Sequence, residues 1–270
     1  MRKIAFIGVG NMAGAIIGGM LRSGAVDGAH LFLSDKFPEK CSAYTELGAT
    51  LAASPAEATA AADCVVLSVK PQNFPEILPE LAEVEGIEDK LIITIAAGIP
   101  SATVKNALHG APVVRVLPNT PMLVGQGVSV ICRAEDVTPE DFAYVRDVFE
   151  ASGSVQIIDE SEMNRIISVT SSSPAYVFAF IDAIYQGALA QGLSDNGLLA
   201  AVCDVVIGSA TLLKAGSLTP EEQIKVVTSK GGTTERAMNV LRQRDMAGTV
   251  LEAMKACTAR AEEMGRADKS

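Results

Sequence analysis

The stretch Lys3–Ile16, KIAFIGVGNMAGAI, decides the fold of the N-terminal half. Its first residues form an apolar run typical of a buried strand, and two glycines then precede an apolar segment with helical periodicity. Gly8, Gly10 and Ala13 follow the spacing G-x-G-x-x-A between this strand and this helix. The spacing indicates a dinucleotide-binding turn, because Gly8 permits a tight turn, Gly10 lets the backbone approach a pyrophosphate and Ala13 keeps the helix close to the sheet.

Short apolar runs alternate with helix-length segments through the first 159 residues. The runs that we predict as further strands are LFLSD, DCVVLSVKP, KLIITIAAG, PVVRVLPNTP, GVSVICR and SVQIID. Strands separated by helices form βαβ units, so this half is predicted as an α/β domain with a Rossmann-like, doubly wound and mainly parallel sheet. Ligands of such sheets bind at the carboxyl ends of the strands, where Ser68–Gln72 and Ala96–Ile99 are suited to line the cofactor cleft.

From residue 160 onwards the strand patterns stop. Two long segments follow, ESEMNRIISVTSSSPAYVFAFIDAIYQGALAQG and DNGLLAAVCDVVIGSATLLKAG, and both are apolar on more than one face. Helices of this kind must be buried by other helices. We therefore predict two domains, residues 1–159 for dinucleotide binding and residues 160–270 for an all-helical dimerisation domain that also contributes to the substrate site.

Composition and charge narrow the classes of function. The 270 residues include 22 basic and 32 acidic side chains, a formal net charge of −10, with no cluster of Lys or Arg, which argues against nucleic acid as a partner. Five cysteines are scattered without the spacing of metal ligands, so we expect reduced thiols, no metal and a cytoplasmic protein. The N-terminus lacks the pattern of a signal peptide, and Asp182 and Asp204 interrupt the longest apolar stretches, so we expect no membrane span.

The end of the second predicted strand bears on the choice between NAD and NADP. Asp35 stands where a carboxylate normally accepts hydrogen bonds from the ribose 2′-hydroxyl and repels a 2′-phosphate. Ser34 and Lys36 flank it, and a hydroxyl and an ammonium group can instead bind a phosphate. The residues alone leave both nicotinamide cofactors open.

The helical half has few histidine or lysine side chains that could serve as the base of an alcohol dehydrogenase. The only histidines are His30 and His109, both in the first half, and the stretch 161–213 contains neither Lys nor His. Oxidation of an alcohol needs a base for the hydroxyl proton. Reduction of a C=N bond needs no such base, because a protonated iminium is already electrophilic. The enzyme mainly has to position the iminium and balance its charge. The inventory therefore favours imine reduction.

A second glycine-rich stretch, Val226–Met238 (VVTSKGGTTERAM), precedes a late helix predicted over Thr234–Arg242. Gly231 and Gly232 can adopt conformations closed to other residues, and the N–H groups that follow can then converge on an anion. Hydroxyl side chains add donors around these glycines: Ser229, Thr233 and Thr234. A carboxylate-bearing imine fits this arrangement, and an ordinary helix N-cap formed by Thr233 is the other interpretation.

The chain resembles the pyrroline-5-carboxylate reductase family over essentially its whole length. The resemblance rests on the motifs FIGVGNMAGAIIGGM, SVKPQ, AAGI, RVLPNTP, SSSPAYVF and VTSKGGTTERAMNVL, in this order. It implies that NADPH, or alternatively NADH, reduces the imine of 1-pyrroline-5-carboxylate to L-proline. It also implies a homodimer, with dimers assembled into a larger ring.

The same resemblance implies roles for individual residues. The late glycine loop would bind the substrate carboxylate, and Thr234 would contact the ring nitrogen and aid its protonation as the catalytic residue. The substrate-binding residues are then Glu160, Ser229, Gly231, Gly232, Thr233 and Thr234. With the glycine turn and the neighbours of Asp35, the cofactor-binding residues are Gly8, Val9, Gly10, Asn11, Met12, Ala13, Ser34, Asp35, Lys36, Val69, Lys70, Pro71, Ala97, Gly98 and Asn119.

Two positions depart from the family pattern. Ser171 stands where the family commonly has Gly, and Lys230 stands where it usually has Pro, which puts the rigidity of the loop in question. Pro174, after three serines, predicts a helix start with Ser172 or Ser173 as candidate cap. The alternatives are a β-hydroxyacid dehydrogenase, whose helical-domain lysine is missing here, and a nucleotide-sensing dimer, which has no evident need for a carboxylate site.

Overall fold

The computed structural model describes residues 1–133 and 137–267. By their contacts these residues form two compact units. The first contains Met1–Pro174 together with the chain from Cys257 onwards, and the second contains Ala175–Ala256. The division by contacts differs from the predicted one between residues 159 and 160, which as a domain boundary remains a prediction.

The first unit is built on one eight-stranded sheet with the order β3-β2-β1-β4-β5-β6-β7-β8. The strands are β1 (Ile4–Ile7), β2 (Leu31–Ser34), β3 (Thr50–Leu51), β4 (Cys64–Leu67), β5 (Leu91–Thr94), β6 (Val113–Leu117), β7 (Gly127–Arg133) and β8 (Gly153–Ile157). Neighbouring strands are parallel, except that β6 and β7 are antiparallel. The first six strands have the order of a doubly wound dinucleotide-binding fold, so the predicted Rossmann-like class is confirmed.

Helices connect the strands of the first unit and make up the second unit. In the first unit they are α1 (Asn11–Ser23), α2 (Ser42–Thr45), α3 (Pro55–Ala60), α4 (Phe74–Ala82), α5 (Ser101–Ala107), α6 (Pro139–Glu150) and α7 (Met163–Ile166). The remaining helices are α8 (Ser173–Ala190), α9 (Leu198–Ala215), α10 (Pro220–Val226), α11 (Thr233–Gln243) and α12 (Met246–Ala267). From residue 160 onwards the described residues include no strand, as predicted.

Local sequence chemistry explains two helix ends in the first unit. Gly24 ends α1 in the left-handed conformation with φ +74°, and the Thr138 hydroxyl accepts a hydrogen bond from the Asp141 N–H at 3.1 Å at the start of α6. The helix α6 ends at Glu150, and Gly153 begins β8.

Apolar side chains cover both faces of the sheet, as β1 illustrates. Ile4 and Phe6 belong to a cluster that packs α1 and α6 against one face, and Ala5 and Ile7 belong to a cluster that packs α3, α4 and α5 against the other. Successive strand residues point to opposite faces, so a strand covered on both sides reads as an uninterrupted apolar run. Because both faces are covered, a polar site of this sheet is expected at the carboxyl ends of its strands.

Two helical stretches within the described residues, Glu160–Ala190 and Leu198–Ala215, are long and apolar enough to cross a membrane by length and composition alone. The prediction that Asp182 and Asp204 disqualify these stretches is therefore wrong, because their mean hydropathies are still 1.3 and 1.8. Few residues of either stretch are buried within one chain. Large apolar side chains of α8 and α9 are accordingly exposed: Val177, Phe178, Phe180, Ile184, Leu199, Val205, Ile207 and Leu212.

The serines before Pro174 do not cap a free helix end. A π-helical turn, Ile167–Ser171, joins α7 to α8, with the Ser172 N–H bonded to the Ile167 carbonyl at 2.9 Å. The Ser173 hydroxyl donates to the Val169 carbonyl. The predicted helix start is thus the continuation of an existing helix past a proline, whose missing N–H is tolerated because the turn before it widens.

Candidate active site

At the carboxyl end of β1 the chain turns through Gly8 and enters α1 at Gly10. Gly8 has φ +91°, and a Cβ there would lie 2.9 Å from Val69 Cγ1, so a larger residue does not fit. Gly10 is the N-cap residue of α1 without a side-chain cap, and a Cβ at this position would meet nothing within 4 Å. The first N–H groups of α1 lack helical partners and have open space beside them, as pyrophosphate binding requires.

A cleft of about 610 Å³ lies at this end of the sheet, a size that suits a cofactor. It brings together the predicted cofactor residues Gly8, Gly10, Ser34, Asp35, Lys36, Val69 and Lys70. Its lining also includes Ser68, from the predicted stretch Ser68–Gln72, and polar residues that the sequence patterns did not single out: Lys40, Asn73, Glu76 and Glu80. The glycine turn, the end of β2 and the end of β4 thus meet at one dinucleotide-sized cleft.

Asp35 is held by two backbone N–H groups, one in the glycine turn and one just after β2. One carboxylate oxygen accepts from the Val9 N–H at 2.7 Å, and the other accepts from the Phe37 N–H at 2.9 Å and from Lys40 Nζ at 3.2 Å. Only 9% of the side chain is exposed. Burial by itself would raise the pKa of Asp35, but the two N–H groups and Lys40 together hold that pKa below its ordinary value.

Beyond Asp35 the cleft is lined by both lysine and glutamate side chains. Lys36 is exposed and pairs with Glu76 at 3.1 Å, and the Lys40 ammonium lies 4.5 Å from the centre of the Phe37 ring. Ser34, at the end of β2, is buried beside them. Because exposed ion pairs are weak, an incoming phosphate can replace Glu76 as the partner of Lys36 at little cost.

The remaining predicted cofactor residues lie outside the lining of the cleft: Val9, Asn11, Met12, Ala13, Pro71, Ala97, Gly98 and Asn119. Val9 takes part through its N–H bond to Asp35, and Ala13 is buried where α1 meets the sheet. Ala97 packs against the end of α12, and a Cβ on Gly98 would lie 2.9 Å from Met264 Cβ. Contact of these residues with a cofactor remains a prediction.

Asn119 has a structural role in the turn after β6. The side chain is buried, its Nδ2 donates to the Thr170 carbonyl at 3.1 Å, and its Oδ1 accepts from the Val128 N–H at 2.9 Å. These bonds join the turn to the π-helical segment and to the start of β7. They also explain why an asparagine stands in a turn that the dinucleotide cleft does not include.

Glu160 connects three elements of the first unit. Its carboxylate accepts from the Ser101 N–H at 2.7 Å and from the Ser101 hydroxyl, both at the start of α5, and pairs with Arg115 of β6 at 3.4 Å. Arg115 is buried, and burial lowers its pKa while Glu160 acts to raise it. Arg115 also donates to Asn164 Oδ1 at 3.0 Å. The predicted role of Glu160 toward the substrate remains a prediction beside this structural one.

The second glycine-rich loop, residues 228–234, lies in the helical unit and leads into α11. Gly231 has φ +75°, and the Gly232 N–H donates to the Ser229 carbonyl at 3.0 Å. Gly232 is the N-cap residue of α11 and makes no side-chain cap, so the interpretation of Thr233 as N-cap is wrong. A Cβ on Gly232 would collide with the Ser229 hydroxyl, so the absence of a side chain there allows this close turn.

The start of α11 is bare. In the part of the chain that the structure describes, the N–H groups of Thr233 and Thr234 have no acceptor, while the Gly231 N–H donates to the Glu235 carboxylate at 2.9 Å. The loop therefore brings Ser229, Thr233 and Thr234 together around free amides at the positive end of a helix dipole. Such an arrangement has the donors that an anionic group of a small molecule requires.

Sequence reasoning did not assign a role to Arg115 or Glu235, and for Ser68 it predicted only a place in the lining of the cofactor cleft. Ser68 donates to the carbonyl of Ile7 at 3.1 Å and so ties β4 to β1, which no motif encodes. Arg115 lies within an apolar strand pattern, which gives no sign of its ion pair. Glu235 had a usable signal, since a Glu at the third position of a helix often reaches back to the backbone N–H groups before it.

The fold and the cleft define a dinucleotide-binding oxidoreductase of the Rossmann class joined to a helical domain. Residues 3–98 match the family model described as NADP oxidoreductase, coenzyme F420-dependent, and residues 160–264 match that described as pyrroline-5-carboxylate reductase dimerisation. Within residues 1–133 and 137–267, no group of three or more His, Cys, Asp or Glu side chains is placed to hold a metal ion.

Similar proteins extend over the whole chain. The pyrroline-5-carboxylate reductase of Escherichia coli (strain K12) is 34% identical over 267 residues, which cover 98% of this chain and 99% of that protein. The enzyme of the same name from Methanosarcina acetivorans is 31% identical, with 98% of each chain covered. The crystal structure of Plasmodium falciparum pyrroline carboxylate reductase with NADP bound has a TM-score of 0.90 at 25% identity, covering 98% of both chains. The chain belongs to the pyrroline-5-carboxylate reductase family.

Proposed function

We infer that this protein reduces the C=N bond of 1-pyrroline-5-carboxylate to give L-proline, the last step of proline biosynthesis, with NAD(P)H as hydride donor. The observation that carries this conclusion is the bare, hydroxyl-lined start of α11 in a chain whose other unit has a dinucleotide cleft. The relatives at 34% and 31% identity are both named pyrroline-5-carboxylate reductase, and both match this chain over nearly its whole length. Their similarity supports the same activity here.

The residues of the chain divide the work between binding and proton transfer. The amides of Thr233 and Thr234 and the Ser229 hydroxyl bind the substrate carboxylate. The Thr234 hydroxyl contacts the ring nitrogen and helps to keep it protonated, which makes the ring carbon electrophilic. When bound in the cleft, the nicotinamide supplies the hydride, and the protein mainly has to position the iminium. Because this reaction removes no proton from an alcohol, it needs no histidine or lysine as a base.

NADPH is the cofactor that the geometry of the cleft favours. Asp35 is the group that would normally accept from the ribose 2′-hydroxyl, but both of its oxygens already accept backbone N–H groups. Lys36 and Lys40 line the same cleft and can bind a 2′-phosphate as point charges. The NADP-bound structure of the Plasmodium falciparum relative supports the same choice.

The helical half is a dimerisation domain, and the protein acts on a small molecule as an oligomer. We propose a homodimer in which the exposed apolar side chains of α8 and α9 are buried against the partner rather than against lipid. Dimers assemble further into a ring, and the enzyme is cytoplasmic. Light scattering of the purified protein without detergent tests the assembly, because a detergent-dependent or aggregated species would favour a membrane location.

A parallel assay with NADPH and NADH tests the proposed function. Purified protein should oxidise NADPH only when pyrroline-5-carboxylate is added, and proline should form in equal amounts. NADH should support the same reaction with a lower kcat/KM. If neither nicotinamide is oxidised in the presence of the imine, the proposed function is wrong, and activity on a β-hydroxyacid would favour the dehydrogenase alternative.

A further inference from the structure

The loop before α11 contains a four-residue turn, Ser229–Gly232. The turn is closed by the hydrogen bond from the Gly232 N–H to the Ser229 carbonyl, and its third residue, Gly231, has φ +75°. A positive φ at the third position is what a type II turn requires. Because Gly232 is also the N-cap residue of α11, the shape of this turn sets the direction of the first amides of the helix.

Lys230 occupies the second position of the turn. Proline is favoured at this position, because its ring fixes φ near the value that the turn needs. With lysine instead of proline, the loop without a ligand can adopt more conformations. Binding of an anion to aligned amides then costs more conformational entropy. Lys230 is exposed, and among the described residues its side chain has no partner in a hydrogen bond or an ion pair.

Glu235 contacts the turn from the first turn of α11. Its Oε2 accepts from the Gly231 N–H at 2.9 Å, which fixes the peptide that joins Lys230 to Gly231. The same bond occupies an amide that lies next to the bare ones of Thr233 and Thr234. A carboxylate of the protein therefore holds the Gly231 N–H group, while the N–H groups of Thr233 and Thr234 in the described chain stay without an acceptor.

We propose that Glu235 is a positioning residue of the substrate site, which holds the Ser229–Gly232 turn in the shape that binds the substrate carboxylate and so compensates for the proline that the turn lacks. This inference rests on the proposed function, because it assigns Glu235 a part in the binding of an anion at α11. Its hydrogen bond and its charge act in opposite directions, since a second carboxylate beside the site repels an anionic substrate. The two effects are separable by substitution.

The test compares Glu235→Ala with Glu235→Gln. Glutamine keeps an acceptor oxygen for the Gly231 N–H and removes the charge, whereas alanine removes both. Glu235→Ala should raise KM for pyrroline-5-carboxylate by about tenfold with a smaller change in kcat, as expected for a loss of preorganisation. Glu235→Gln should have a KM equal to or below that of the unaltered protein. Hydrogen exchange of the Gly231 amide should accelerate in the alanine variant only.

Two further variants complete the experiment. Lys230→Pro combined with Glu235→Ala should restore KM, because proline fixes the turn without the carboxylate. Glu222→Ala is the matched control, since Glu222 is also the third residue of its helix, α10, and accepts at 2.8 Å from the N–H of the N-cap residue Thr219. It should lower stability and leave KM unchanged.

Each outcome decides between these alternatives. An unchanged KM and unchanged Gly231 exchange in Glu235→Ala would overturn the inference while the enzyme itself stays active. A lower KM in both Glu235 variants would overturn it too, because repulsion would then be the only effect of the carboxylate. Absence of turnover by the unaltered protein would instead defeat the proposed function, and the inference with it.

Discussion

The carboxylate of Asp35, at the end of β2, accepts a hydrogen bond of 2.7 Å from the backbone N–H of Val9 in the glycine turn. The bond links two of the segments that form the cofactor cleft. Asp35 also accepts from the Phe37 N–H, so its two oxygens hold the glycine turn and the residues after β2 together.

Removal of this link should weaken the binding of both nicotinamide cofactors equally. Asp35→Ala leaves two N–H groups without their acceptor, so we expect a loss of about 1–3 kcal/mol in the free energy of unfolding in urea. KM for NADPH and KM for NADH should rise by the same factor. A selective loss of NADH binding, with NADPH binding improved, would mean that Asp35 reads the ribose after all.

The stabilisation by Asp35 should depend on pH in a defined direction. Its pKa is lowered on folding, so the contribution is complete above the pKa of the unfolded state, about 3.9, and is lost as pH falls through the lower folded-state value. The stability difference between the unaltered protein and Asp35→Ala should therefore shrink in urea titrations as pH falls below about 4. A difference that stays constant down to pH 2, roughly two units below the ordinary aspartate pKa, would contradict this explanation.

Lys36 and Lys40 should account for the preference for NADPH. Replacement of both by alanine should raise KM for NADPH by about tenfold or more and leave KM for NADH nearly unchanged, because only NADPH has the 2′-phosphate. Steady-state kinetics with each cofactor provide the measurement. Lys3→Ala is a matched control, since Lys3 also lies over a phenylalanine ring but precedes β1, at the opposite end of the sheet.

Gly231→Ala should damage substrate binding more than it damages the fold. A positive φ costs a residue with a side chain roughly 1–2 kcal/mol, and Gly231 has φ +75°. Gly86→Ala is the control, because Gly86 has φ +72° and a Cβ added there, as at Gly231, would meet nothing within 4 Å. Both variants should lose similar stability in urea, but only Gly231→Ala should raise KM for pyrroline-5-carboxylate.

Thr234→Ala should lower kcat/KM for the imine without weakening cofactor binding. A hydrogen bond to a charged group contributes about 1.5–3 kcal/mol, which corresponds to a decrease of about 10- to 100-fold. Thr234→Ser keeps the hydroxyl and should retain most of the activity. A large loss of NADPH affinity in Thr234→Ala, measured by fluorescence titration, would show that the loop was assigned to the wrong ligand.

Glu160→Gln should destabilise the first unit, because Arg115 is then a buried cation without a charged partner. We expect a loss of about 2 kcal/mol in urea unfolding, less than for a fully buried pair, since a third of the Glu160 side chain is exposed. Glu162→Gln, two residues away in an exposed pair with Arg165, should change stability by less than about 0.5 kcal/mol. Equal effects of the two substitutions would contradict the structural role of Glu160.

The parts of the fold that depend on burial of apolar residues could be predicted from the sequence. The strands β1, β2, β4, β5 and β6 are apolar runs, because helices cover both of their faces, and their order along the chain with intervening helices predicts the sheet. The strand β3, Thr50–Leu51, was missed, since it has two exposed residues and no apolar run. The direction of β7 was not predicted either, because antiparallel pairing depends on the path of the turn that precedes it.

Details that depend on side-chain partners were not readable. Asp35 matches a ribose-binding pattern, and only the position of the Val9 N–H shows that its oxygens are already engaged. Likewise, the three serines before Pro174 suggest a capped helix start. In the structure the preceding helix continues through Ser171 as a π-helical turn, so no free helix start exists there. The glycine loop could be predicted as an anion site from Gly231 and Gly232, but the contact of Glu235 with it required the folded structure.

The structure of a ternary complex with NADP and L-proline tests the central claim most directly. The carboxylate of proline should lie within hydrogen-bond distance of the Thr233 and Thr234 amides, with the ring nitrogen next to the Thr234 hydroxyl and the ring carbon facing the nicotinamide. Proline bound elsewhere in the complex, with the amides at the start of α11 unoccupied, would contradict the proposed mode of substrate binding.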